Sequence, residues 1–231
     1  MGEEEVMFVA DRMTPNPTTV TTDTSLKDAI ELIRSKPFRH LPVLDDNGAL
    51  VGVVTEKSLV YASPTPITTL SIFEVDYVLS RVKVGQLLHR EVITVGPGVP
   101  VEEAARIMVD NRIGCLPVVQ EGRLIGIISD TDIFHVLVEG LGGGSPSLRF
   151  TLTVPEQVGS LARITSCTAA LGGNIHSLVI FWDRQHKDRV VVVRVEGIDE
   201  DSARQALAED GIEVLNVWKS GCSRDSDPSV S

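Results

Sequence analysis

Apolar residues follow two rhythms along this chain, and each rhythm occurs twice in the first 140 residues. Leu26, Ala29, Ile30 and Ile33 fall at the i, i+3, i+4, i+7 spacing of an amphipathic helix. Ser25 stands before them with Asp28 three residues on, a capping-box pattern that predicts the helix start. Val101, Ala104, Ala105 and Met108 repeat the spacing, with Pro100 suited to a first helical turn. Short β-branched runs surround each helix. A strand centred on Val20 follows the turn at Pro15 and Pro17, and residues 116–119 and 124–128 form two strands around the hairpin signal Glu121-Gly122. The stretch LPVVQEGRLIGIISDTD at 116–132 has an earlier copy, LPVLDDNGALVGVVTEKS, at 41–58. Equivalent residues lie a constant 75 apart (20 to 95, 29 to 104, 42 to 117), and one residue is lost in the turn, so Gly52 answers to Gly126. The chain carries an internal repeat of strand, helix, strand, strand, helix.

Residues 63–83 separate the repeats. They begin as a proline-punctuated loop and become helical and apolar over 72–79. The composition changes again at 140–147, GLGGGSPS, which reads as a flexible linker; a phosphate-cradling loop would need a following Lys-Ser/Thr. Beyond it Leu148, Phe150, Leu152 and Val154 alternate as a strand, and Leu161, Ile164, Thr168 and Leu171 take helical spacing. Gly172-Gly173-Asn174 closes that helix. Strands over 175–182 and 190–195, a helix over 200–210 and a strand over 212–218 complete a βαββαβ order. The expected organisation is a repeat at 9–62, the inter-repeat segment 63–83, a second repeat at 84–139, a linker at 140–147 and a third domain at 148–218. Residues 1–8 read as an arm and 219–231 as a disordered tail. The fold class is α/β in the broad sense, α+β in detail.

Composition limits the chemistry. With 42% hydrophobic and 23% charged residues the chain has the balance of a soluble protein. A net charge of −11 argues against nucleic acid and anionic bilayers as partners. The start lacks a basic stretch before an apolar one, and no run approaches the length of a membrane span, so a cytoplasmic location is expected. Cys115, Cys167 and Cys222 are scattered, and the histidines show no ligand spacing, so neither disulfides nor zinc are expected. With no nucleophile–base pair and no phosphate-transfer motif, the chain is read as not an enzyme and as needing no catalytic cofactor.

The candidate chemistry follows the second hairpin. Ser129 and Asp132 place a hydroxyl and a carboxylate on one side of a starting helix, which suits a ligand with hydroxyls and a phosphate. Ser129 or Asp130 would also serve as an ordinary helix N-cap. In the first repeat Gly52 and Thr55 are kept but Ser58 replaces the carboxylate, so that cleft is expected to be weak or empty. Arg39 and His40 precede the first LPV, where the second repeat has Gly114 and Cys115. They read either as cations facing the ligand or as a solvated pair.

On these motifs residues 9–139 resemble a tandem pair of CBS domains, a Bateman module, and residues 148–218 resemble a ferredoxin-like ACT domain. The segment SPTPITTLSIFEVDYVLS is similar to the inter-repeat segment of AcuB-type proteins, named for acetoin utilisation. The resemblance implies two βαββα repeats about a pseudo-two-fold axis, with clefts for adenosine compounds such as AMP, ATP or S-adenosylmethionine as regulatory ligands. The family pattern G-x-x-Ser/Thr-x-x-Asp falls on Gly126, Ser129 and Asp132, with adenine expected near Ile93, Pro117 and Ile128, and with Thr55, Arg39 and His40 contributing from the first repeat. In the ACT half the resemblance implies an amino-acid site at Gly159, Asn174 and Ile175, although Val158 stands where a proline is usual and Asn174 is also an ordinary helix terminator. It further implies a homodimer. The expected function is a ligand-sensing regulator of an unidentified metabolic partner; the alternative is a dimeric scaffold.

Overall fold

The structure is a computed structural model that describes residues 7–63, 71–88, 91–144, 146–183 and 188–220. It divides into two compact units, Met1–Phe134 and His135–Ser231. Residues 1–6 of the expected arm, residues 64–70 of the expected inter-repeat segment, His89, His186, Cys222 and the expected tail from 221 lie outside the described residues.

The first unit begins with α1 (Val9–Arg12) and β1 (Thr14–Pro15). The first repeat then runs through β2 (Val20–Thr21), α2 (Leu26–Arg34), β3 (His40–Leu44), β4 (Leu50–Thr55) and α3 (Glu56–Ala62). Ser25 caps α2 as its spacing predicts, its side chain accepting from the Asp28 N–H at 3.1 Å. After α4 (Ile72–Arg81) and a 3-10 turn at Val84–Leu87 come α5 (Val101–Asn111), β5 (Cys115–Gln120), β6 (Arg123–Ser129) and α6 (Asp130–Gly140). In the second repeat Val95 makes a parallel bridge to Val118 where the first has the parallel pair β2–β3. Glu121 and Gly122 both adopt positive φ, 50° and 75°, so β5 and β6 join through the tight primed turn that matches strand twist.

The two repeats exchange their leading segments. Val9 is fully buried in the second core, with Val95, Ala104, Met108, Leu116, Val118 and Ile128, and β1 pairs with β6 as Thr14 opposite Ile127. Reciprocally Val84 is fully buried among Val20, Leu26, Leu41, Val43 and Val54 of the first core. The sequence unit that starts at Val9 therefore closes the core of the other repeat. Gly52 and Gly126 make room for the visitors: a Cβ at Gly52 would run into the side chain of Leu88, and one at Gly126 into that of Met13.

Helix α4 starts at a capping box between Ser71 and Glu74 and is tied to α2 by Lys27–Asp76 at 2.8 Å. Its outer face leaves Phe73 and Tyr77 87% and 61% exposed.

The linker expected at 140–147 is structured over its described residues. Gly140 ends α6, and Gly143 N–H donates to Val138 O at 2.7 Å, a capping contact at a helix end. Leu141 O accepts from Ser177 Oγ at 3.0 Å, and Ser147 opens the next strand. In the second unit β7 (Ser147–Val154), α7 (Ser160–Ala170), β8 (Asn174–Asp183), β9 (Asp188–Glu196), α8 (Glu200–Glu209) and β10 (Glu213–Ser220) form an antiparallel sheet of order β10-β7-β9-β8. Phe150, Leu152, Ile164, Val193 and Leu207 lie in its core. Lys219 and Ser220, assigned from sequence to the tail, belong to β10, where Ser220 pairs with Ser147.

Candidate functional site

The hairpin of each repeat delivers two residues side by side at the head of a helix. The antiparallel register sets His40 opposite Thr55 in the first repeat and Cys115 opposite Ser129 in the second. Each following helix starts at once. At α3 the Thr55 side chain accepts from Ser58 N–H at 3.0 Å, and Ser58 Oγ returns the contact by accepting from Thr55 N–H at 2.9 Å. At α6 a carboxylate takes the serine's place: Asp132 Oδ2 accepts from Ser129 N–H at 2.7 Å and from Ser129 Oγ at 2.6 Å. The carboxylate is held in one position by two donors, half-buried, at the end of a rigid hairpin.

The first repeat reaches into this site. Gly114 has no side chain, and the point where its Cβ would stand is 3.4 Å from His40 Nε2 and 3.2 Å from Asp130 Oδ2. An imidazole from one repeat and a carboxylate from the other thus both crowd against Gly114, where even a methyl group would be tight. Burial pushes the His40 value below its usual range, with Arg39 adding to the drop, while Asp130 and Asp132 oppose it. Asp130 N–H donates to Gly114 O at 2.9 Å, just as Glu56 N–H donates to Arg39 O at 2.9 Å in the first repeat. Burial pushes the Cys115 thiol up to about 12, so it stays neutral beside Asp130.

Asp132, Ser129 and His40 therefore surround one region, with the exposed Arg39 next to His40. Thr55 caps its own helix opposite His40. The apolar slot expected for adenine is altered. Ile128 is fully buried in the second core, because strand alternation turns it inward while Ile127 faces the other way, so it offers a ligand no surface. Pro117 is also buried, and its carbonyl accepts from Val95 N–H at 3.1 Å. Ile93, 37% exposed and two residues from that bridge, is the one of the three with open surface. From sequence Asp130 stands only as a possible helix cap next to Ser129; the fold brings it toward His40.

In the second unit Gly159 caps the start of α7 with φ +93°. Asn174 lies beyond the other end of that 11-residue helix, which is about 16 Å long, and pairs with the opposite end of β9 from Val154, so one chain does not bring the expected amino-acid residues together. Asn174 instead faces Glu196, its Nδ2 3.4 Å from Oε1, and the other Glu196 oxygen is 2.8 Å from His176 Nε2. His176 sits at a bulge in the β8–β9 ladder, which turns it toward Glu196, and Ile175 packs against the core. Hydrogen bonds from His176 and Asn174 hold the Glu196 carboxyl below its usual range.

Among the described residues no group of three or more His, Cys, Asp or Glu could hold a metal ion, and no helix is long and apolar enough to cross a membrane. The CBS-domain model matches residues 9–64 and 84–139, and a model described as the TTHA0829-like ACT domain matches residues 143–218. Uncharacterized protein MJ1426 of Methanocaldococcus jannaschii is 33% identical over 58% of this chain and 93% of its own length. A crystal structure assigned to an acetoin utilization protein (AcuB) from Vibrio cholerae is 31% identical, covers 58% of this chain and 91% of that one, and has a TM-score of 0.47. CBSX2, solved in complex with AMP, is 32% identical over 58% of this chain and 97% of that one, also with a TM-score of 0.47.

Proposed function

The chain belongs to the CBS-domain family, its tandem pair followed by an ACT domain, and on that premise we propose that it is a non-catalytic regulator that binds an adenosine compound in the second repeat. The observation that carries this reading is the difference between the two helix heads. Both heads close back on themselves, but through the Ser58 hydroxyl in the first repeat and through one oxygen, Oδ2, of the Asp132 carboxylate in the second, fixed by the Ser129 hydroxyl and amide. A carboxylate so held can accept from two neighbouring ribose hydroxyls, a role that a plain cap does not require. Arg39 and His40 then face the ligand's 5′ side, Ile93 its base, and Thr55 borders the same region from the first repeat. An occupied cleft would alter how the repeats pack, which is the change a metabolic partner would read.

Asp132→Ala tests this directly. Each hydrogen bond to a charged acceptor is worth roughly 1.5 to 3 kcal/mol, so the affinity for adenosine compounds is expected to fall about tenfold or more in calorimetric titration. A cap alone predicts something else: a loss of about 0.5 to 2 kcal/mol in stability and no adenosine binding in the unmutated protein, which would favour the scaffold.

The ACT half supports a weaker second site. Since Gly159 and Asn174 lie at opposite ends of α7, an amino acid touching both would need one residue from each of two copies. Amino-acid binding and dimer formation are therefore one proposal here. Asn174, Ile175 and Gly159 would line the site, with Glu196 displaced from Asn174 when it fills.

A further inference from the structure

Of the five arginines described in the second unit, three reach a carboxylate: Arg163 pairs with Asp210, Arg189 with Glu156 and Arg204 with Glu200. Among the described residues Arg149 and Arg194 meet only hydroxyls. Arg149 Nη1 donates to Thr151 Oγ1 at 3.1 Å, and Arg194 Nη1 to Ser147 Oγ at 3.3 Å and Ser220 Oγ at 3.4 Å. The two stand directly opposite each other on β7 and β9, and Trp218 stands opposite Arg149 on β10. Their neighbours Leu148, Phe150, Val193 and Val195 fill the core, so alternation puts all three on the sheet face away from α7 and α8. There the Arg194 guanidinium carbon lies over the Trp218 ring, 5.7 Å from its centre. Burial, and after it the Arg149 charge, holds the Arg194 value below that of a free guanidinium. Glu196, two positions along β9, is engaged by His176 and Asn174 instead.

Like charges directly opposite on neighbouring strands cost stability, so this pairing does not serve the fold, and it stands in a chain of net charge −11. Two adjacent guanidinium forks suit carboxylates, which they can grip bidentately. The surface is an open sheet, broadened by Phe181 and Trp218, which are 53% and 51% exposed. Trp and Arg together are the residue types that carry most energy where proteins meet. A second copy laid on this face about a two-fold axis through the arginines would gather four guanidinium groups, so this part of the face does not suit self-association.

We infer that the face around Arg149, Arg194 and Trp218 docks an acidic segment of a different protein, one with neighbouring Asp or Glu carboxylates and an apolar side chain beside them. The inference rests on the reading of the chain as a regulator of a protein partner, whose chemistry it names; it does not depend on the adenosine site.

The test selects short random peptides on the full chain at low salt. A recovered peptide and inorganic phosphate are then titrated against the unmutated protein, the double variant Arg149→Gln/Arg194→Gln and the charge-matched control Lys57→Gln/Arg123→Gln. Recovered peptides should be rich in Asp and Glu. The double variant should weaken the peptide by about tenfold or more, and the control by no more than about twofold. Arg149→Gln alone should leave the melting temperature unchanged or raise it, because it removes one of two like charges. Peptides without an acidic bias, no enrichment at all, or equal weakening in the control overturns the inference. Phosphate bound as tightly as the peptide would make this a small-anion site and remove the partner, and a clear fall in melting temperature for Arg149→Gln would return the pair to a structural role. Adenosine binding is tested at Asp132 in the first unit, so the two readings fail separately.

Discussion

At the scale of single residues, His40 makes a measurable prediction. Its value in the folded chain is below the 6.5 of a free imidazole, because burial outweighs the attraction of Asp130 and Asp132. The unfolded chain therefore takes up a proton first as pH falls. Stability is undiminished above about 6.5 and declines below it, until the folded-state value is passed. Thermal melts at pH 7.5 and pH 5.5 should show a drop that is smaller in His40→Gln; an identical drop in both proteins would exclude His40 as a contributor. At this scale the sequence motif located Ser129 and Asp132 by spacing alone. It did not disclose that the two bind each other, nor that Ile128 turns away from the cleft, since both depend on which face of the strand meets the core. Asp130 and His40 are 90 positions apart in the chain, and no local pattern relates them.

At the scale of elements, the helices and hairpins were legible because each has its own cap, turn or period: Ser25 before α2, Glu121-Gly122 between β5 and β6, the apolar run over 72–79 at α4. The exchange of leading segments was not legible. Val9 and Val84 occupy equivalent places in two similar cores, so either core would accept either residue on hydrophobicity alone. The glycine-rich stretch misled for a related reason: 141–144 has the composition of a linker, yet the same freedom at φ lets it cap α6. The exchange can be tested at Gly126 and Gly52. An added methyl at Gly126 meets Met13 and, at 3.2 Å, the Thr14 carbonyl, which is backbone; at Gly52 its three nearest neighbours all belong to the movable side chain of Leu88. Gly126→Ala should cost about 1 to 3 kcal/mol in urea unfolding, and Gly52→Ala distinctly less. Equal costs would mean that the incoming segments do not constrain these positions differently.

At the scale of the whole molecule, a single chain leaves much apolar surface in water: Tyr61 on α3, Phe73 and Tyr77 on α4, Phe134 on α6, and Phe181, Trp182 and Trp218 on the sheet of the second unit. Exposed aromatic groups of this size usually mark a contact with another molecule. A homodimer is the expected state, giving twice the 25.0 kDa chain mass in light scattering at micromolar concentration. The chain mass alone would remove both the dimer and the shared amino-acid site. If the dimer forms and some amino acid gives binding heat, Asn174→Ala should abolish that heat and leave the adenosine response in place. An adenosine response lost together with it would instead mean that the two halves are not separately addressed.

The exchange of leading segments also orders events during synthesis. Val9 is made roughly 120 residues before Ile128, and at about 5 to 20 residues per second it leaves the ribosome some 6 to 24 s before its core exists. The first repeat meets the opposite situation: its own strands emerge early but lack Val84, so they wait for the chain to pass the inter-repeat segment. The first core can close only once the start of the second repeat has been made, and α1 has no core to join until the second repeat is complete. A nascent chain halted between the repeats would therefore carry an unclosed first core and an unattached α1 at the same time, and both would be available to a chaperone.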